Sequence, residues 1–144
     1  MKQEDKDLLL KDICGRLPYG VKSKIKYYDD AWELLAIYTN GTTYASRDIG
    51  YPIETYFEDC KPYLFPMSSM TDEQKKELRK VGGYEAREED CGYHSETFYY
   101  NMVGRENVFY PDADDIDWLN KNHFDYRGLI EKDLALDATG LNIY

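Results

Sequence analysis

The residues best suited to chemistry lie within Asp112–Arg127, DADDIDWLNKNHFDYR. His123, Asp125 and Arg127 stand at alternate positions. An imidazole beside a carboxylate is what a general base requires, and a guanidinium two residues on could hold an anionic substrate. That combination suggests a small hydrolase or a metal-assisted enzyme. No nucleophile accompanies it: Ser68, Ser69, Ser95 and Cys91 are distant in sequence, and none sits in an elbow motif. The same three side chains would also make a hydrogen-bonded structural corner, with Asp125 orienting the imidazole and Arg127 pairing with Asp125. Gly128 would then supply a backbone conformation closed to other residues. The corner is the preferred reading, and no catalytic residue is assigned.

The acids upstream invite a metal reading centred on Asp112, Asp114 and Asp115. Calcium loops open on closely spaced acids but need Gly at the sixth position and Glu at the twelfth. Counted from Asp112, those positions hold Asp117 and His123, so that pattern fails. Capping is the simpler role, because Asp112 or Asp114 can accept from orphan amides at a helix start. Cys14, Cys60 and Cys91 are far apart and lack ligand spacing, which indicates neither zinc nor a disulfide framework. His94, the second histidine, could share a metal with His123 only through the fold. No cofactor is expected.

At 144 residues the chain is the size of one domain. The formal net charge is −10, divided as −2 over residues 1–66 and −8 over residues 67–144. That balance weighs against nucleic acid and favours solubility or a basic protein partner. There are 15 Tyr against 5 Phe, and tyrosine can bury its ring while its hydroxyl stays wet or meets a partner. The charged N-terminus lacks the apolar run of a signal peptide, and nothing approaches a membrane span, so a cytoplasmic location is expected.

These residues need a frame. Residues 3–14 read as a helix with Leu10, Ile13, Cys14 and Leu17 on one stripe, Gly15 closing it and Pro18 preventing continuation. Val21–Tyr28 alternates strictly as a strand, with Val21, Ser23, Ile25 and Tyr27 on one face. Lys22, Lys24 and Lys26 on the other face would blunt an edge. Trp32–Thr39 and Thr42–Arg47 flank Asn40-Gly41, the type I′ hairpin signal, which would pair Thr39 with Thr42, Ile37 with Tyr44 and Leu35 with Ser46. Pro52, Pro62 and Pro66 confine any strand between Ile49 and Pro66 to an edge. Thr71 and Gln74 form a capping box for a helix over 71–81, stopped by Gly82-Gly83. Residues 84–92 read as an acidic loop, and Glu96–Val103 with Asn107–Tyr110 as a second hairpin. In the helix running up to His123, Trp118 and Leu119 should face the sheet.

Arg16–Lys22 (RLPYGVK), Lys61–Thr71 (KPYLFPMSSMT) and Asp117–Ala138 (DWLNKNHFDYRGLIEKDLALDA) resemble a family of short acidic proteins carried by gut Bacteroidales genomes and their prophages and mobile elements. The resemblance covers about a quarter of the chain, and the last block is its specific part. Relatives often place His where this chain has Asn122. The family implies no activity, cofactor or catalytic residue; it implies a phage or mobile-element context.

The expected fold is a single α+β domain over residues 1–144: a small twisted antiparallel sheet, SH3-like barrel closure included as an option, flanked by two or three short helices. Its core should hold Leu10, Ile13, Ile25, Leu35, Ile37, Trp118 and Leu119. The expected function is a non-enzymatic protein-interaction module. The alternatives are the enzyme centred on His123 and Asp125, and a single-stranded nucleic-acid binder using the lysine strand and stacked tyrosines.

Overall fold

The computed structural model describes residues 1–81 and 113–144. The acidic loop at 84–92, the second hairpin, Gly82-Gly83, Cys91, His94, Ser95 and Asp112 lie outside the described residues. The strands are β1 (Lys22–Ile25), β2 (Ala31–Ile37), β3 (Thr42–Ser46), β4 (Ile53–Tyr56), β5 (Cys60–Pro66), β6 (Phe124–Asp125) and β7 (Leu136–Asp137). The helices are α1 (Gln3–Arg16), α2 (Asp72–Val81) and α3 (Ala113–Lys121). One mixed sheet runs β4-β3-β2-β1-β5-β6, with β7 also on β5. The fold is therefore α+β, but the sheet is open, and β6 and β7 join β5 in parallel. Neither barrel closure nor a wholly antiparallel sheet is realised. A parallel neighbour can only be reached by a crossover, and the chain between β5 and β6 includes α2 and α3.

Helix α1 is turned by about one residue from the expected stripe. Leu9, Asp12, Ile13 and Arg16 face inward, Leu10 is half-buried and Cys14 is exposed. Three consecutive leucines at 8–10 put an apolar side chain on most of the helix circumference, so packing chooses the face. Gly15 lies inside the helix and does not end it. A Cβ there would come 3.1 Å from the Asn120 amide nitrogen, so the missing side chain lets α1 approach α3.

In β1, Val21, Ser23 and Ile25 point inward as the alternation predicts, but the strand stops before Tyr27, which has φ 72° and is fully solvated. β1 is a central strand between β2 and β5, so its lysines guard no edge. β5 is also interior despite Pro62. Lys26 N–H donates to the Asp59 carbonyl at 2.9 Å, which places Pro62, opposite Ser23, at a pair that exchanges no hydrogen bonds with β1. The missing donor is not needed there.

The β2–β3 hairpin forms, with a different turn. Tyr38 N–H donates to the Thr42 carbonyl and Gly41 N–H to the Tyr38 carbonyl, both at 2.8 Å, leaving a three-residue loop of Thr39, Asn40 and Gly41. Within that loop Gly41 alone takes positive φ (87°), and Asn40 Oδ1 accepts from Thr42 N–H at 3.0 Å. Ile37 therefore pairs with Thr43 and Ala36 with Tyr44, and a bulge between Leu34 and Ala36 shifts the register one residue further, so that Glu33 instead of Leu35 lies opposite Ser46. Gly41→Ala would have to hold that φ with a Cβ 3.3 Å from the Phe57 ring. Its expected cost is about 1–2 kcal/mol, read as a lower urea midpoint. A loss below about half that range would disprove the strained-turn account.

The capping box is present as read: Thr71 N–H donates to Gln74 Oε1 at 2.9 Å and Gln74 N–H to Thr71 Oγ1 at 3.2 Å. The core divides in two. Ile13, Ile25, Trp32, Leu34, Leu64 and Leu129 are buried between α1 and the sheet, with Leu10 and Ile37 packed against them. Met67, Leu78, Trp118, Leu119 and Phe124 form a second cluster around α2 and α3, where the Trp118 and Phe124 rings stack at 5.8 Å. Leu35, expected inside, is 48% exposed because the bulge turns it away from the core.

Candidate functional site

The corner after α3 separates the three residues that the sequence groups. Asp125 accepts from the backbone amides of Leu129 and Ile130, both at 2.8 Å, and so ties down the Tyr126–Leu129 turn. It does not orient the imidazole. Arg127 turns toward α1, with its Nε 3.5 Å from Asp12 Oδ1, and stacks on Tyr126 at 4.7 Å. It does not pair with Asp125. Asp12 and Arg16 are themselves fully buried and joined by two hydrogen bonds of 2.8 and 3.0 Å. Arg16 also donates to the Phe124 carbonyl at 2.7 Å, so its guanidinium fixes the corner.

His123 lies at the turn itself. Its backbone has φ 59°, its N–H donates to the Asn120 carbonyl, and its carbonyl accepts from Phe65 N–H on β5. The ring is buried and stacks on Tyr144 with centroids 3.7 Å apart and planes 10° from parallel. Tyr144 as a residue is partly exposed, yet its hydroxyl end is inserted between strands. The hydroxyl donates to the Tyr63 carbonyl at 2.8 Å and accepts from Lys22 N–H at 3.0 Å. Burial, followed by the charges of Arg16 and Lys22, lowers the His123 pKa to about 4. The imidazole is therefore neutral, and Nδ1 has no hydrogen-bond partner among the described residues. The ring borders a cleft of about 460 Å³.

Of the metal candidates, Asp115 is buried in the first turn of α3 and Asp114 is exposed on the same turn. Among the described residues no three His, Cys, Asp or Glu side chains gather as a metal site. Cys14 and Cys60 are free thiols, and burial pushes Cys60 up to about 12.

Comparison with protein-family models, curated proteins and solved structures finds no match.

The sheet offers a second candidate on its outer face. Cross-strand partners point the same way, so the pairs Ala36–Tyr44, Tyr44–Glu54 and Thr42–Tyr56 place Tyr44, Glu54 and Tyr56 opposite the face that carries Leu34 and Ala45. Tyr38 joins them edge-on to Tyr44, with centroids 5.5 Å apart. Tyr44 donates to Glu54 at 2.9 Å, and the carboxylate raises its pKa, holding the phenol protonated. Tyr38 and Tyr56 are 56% and 59% exposed, and no described helix packs on them. The Lys22–Glu33 and Glu33–Ser46 pairs put the lysines suggested for nucleic acid on this same face, on the neighbouring strand β1, but beside acids. Lys24 is 3.7 Å from Asp29 and Lys26 3.9 Å from Asp59. Composition hinted at a tyrosine surface, but the particular trio is set by the register that the three-residue loop imposes. No helix of the described residues is long and apolar enough to cross a membrane.

Proposed function

We propose that this protein is a non-enzymatic interaction module that takes a basic segment of a protein partner on the outer face of β2–β3–β4. One observation carries the reading: Tyr38, Tyr44 and Tyr56 form an exposed aromatic surface with Glu54 hydrogen-bonded into it. Tyrosine faces bind cations through the ring quadrupole and contribute large, stiff contact areas. The adjacent carboxylates, on a chain of net charge −10, favour lysine and arginine in whatever docks. An accessory role in a phage or mobile element fits a small acidic adaptor of this kind. The enzymatic alternative has less support, because Asp125 is bonded to backbone amides and the imidazole lacks a carboxylate to orient it.

The test is a peptide array probed with the full chain and with a Tyr38→Ser/Tyr56→Ser variant. Lysine- and arginine-rich peptides should be enriched, and the variant should lose at least about tenfold in affinity, near 1.4 kcal/mol. Its urea midpoint should hardly move, since both side chains are exposed. Enrichment of acidic peptides, or equal binding by the variant, would reject the tyrosine face. Tighter binding to an oligonucleotide than to any peptide would favour the nucleic-acid alternative instead.

A further inference from the structure

The cleft beside His123 differs in charge from the rest of the surface. It lies between the start of α2, the end of α3 and the segment leading to Tyr144, and Phe65, Ser69, Thr71, Lys121, Asn122 and Thr139 are among the residues lining it. Among the described residues no acidic side chain lines it, whereas four further clefts each carry at least one Asp or Glu. In a chain with 28 acids against 18 lysines and arginines, that is a local inversion. The acids of the adjoining turn, Asp72 and Glu73, are exposed and lie outside the lining.

Two donors in this cleft could serve an anion. Thr71 Oγ1 already accepts from Gln74 N–H, so its own proton is left to give away. Lys121 supplies an ammonium at the rim, and α2 presents its amino-terminal end, the favourable pole for negative charge. Phe65 and the His123–Tyr144 stack make an aromatic wall, with the Phe65 ring tilted 51° to that of Tyr144. Three further features coincide at His123: a left-handed backbone on a non-glycine residue, a buried Nδ1 without a partner, and an aromatic lid on one ring face. Strain and unpaired buried polar atoms gather where a fold is built around a ligand. A cleft of about 460 Å³ is within the usual range for small-molecule sites.

We propose that this cleft binds a small planar carboxylate, with the ring against Phe65 and Tyr144 and the carboxylate toward Thr71 and Lys121. The site is separate from the tyrosine face and does not depend on it.

Benzoate is the probe and benzamide its neutral counterpart, each titrated into the isotope-labelled full chain and followed by amide chemical shifts. Benzoate should give a saturable response centred on Thr71, Lys121, His123 and Gly140, and benzamide should bind at least about tenfold more weakly. Lys121→Gln should weaken benzoate about fivefold without changing the unfolding midpoint, because Lys121 is an exposed side chain at the rim. Absence of saturation at tens of millimolar, shifts centred elsewhere, equal binding of benzamide, or an unaffected Lys121→Gln would each overturn the assignment.

Discussion

Arg16→Met should destabilise the protein by about 3–5 kcal/mol, the usual consequence of breaking a buried ion pair from one side. The reason lies in what Arg16 leaves behind. Asp12 is fully buried, and its other cation, Arg127, approaches only to 3.5 Å. The Phe124 carbonyl, which now accepts from Arg16 at 2.7 Å, would lose that donor. Because Arg16 joins α1 to the segment after α3, the loss should also loosen the corner at His123. Asp12→Leu/Arg16→Met should be more stable than the single variant, since no unpaired charge stays inside, although the freed carbonyl keeps it below the parent. Urea midpoints at constant slope are the measurement. A single variant that loses less than about 1 kcal/mol would mean that water reaches Asp12 and the pair is not sealed.

The second large effect concerns acid. His123 is neutral in the folded protein, with its pKa lowered to about 4, whereas in the unfolded chain it takes up a proton near the ordinary 6.5. Its contribution is therefore complete above pH 6.5, falls as pH drops from 6.5 toward 4, and is gone below that. Two and a half pKa units correspond to roughly 3 to 4 kcal/mol at about 1.4 kcal/mol per unit. His123→Asn removes the titration and keeps a residue that tolerates the left-handed backbone. Between pH 6.5 and 4 the parent should lose about 3 kcal/mol more than the variant, while acids titrating in both cancel. Proton resonances of the imidazole give the pKa directly. A value near 6.5 in the folded protein would show that the ring is solvated and the stack with Tyr144 is open.

Local patterns were legible wherever one element decides its own geometry. Thr71 and Gln74 make their reciprocal bonds because both partners sit within one turn of the same helix. Val21, Ser23 and Ile25 alternate inward because a pleated strand has no other choice. The hairpin at Asn40-Gly41 forms where expected, but its register was not legible. A single positive-φ glycine supports a three-residue loop as readily as two such residues support a two-residue loop, and the bulge at Leu34–Ala36 then shifts the register once more. Leu35 and Tyr38 owe their exposure to that shift.

The candidate sites were less legible still. His123, Asp125 and Arg127 suggested a constellation because they are near in sequence, yet each found its partner elsewhere: Tyr144, the Leu129 and Ile130 amides, and Asp12. One signal was available for the buried pair. Leu9, Asp12, Ile13 and Arg16 obey the same helical period as the stripe centred on Leu10, with two opposite charges four residues apart.

Sequence by itself determined the α+β class, the places of α1, β1, the hairpin and α2, and a surface rich in acid and tyrosine. Only the tertiary structure decided which face of α1 turns inward, that Pro62 lies in an interior strand, and that the imidazole is neutral beneath Tyr144. The reason is one of range. Capping, alternation and turn preference act between residues a few positions apart, whereas burial depends on neighbours brought from far along the chain, as Phe124 is to Arg16.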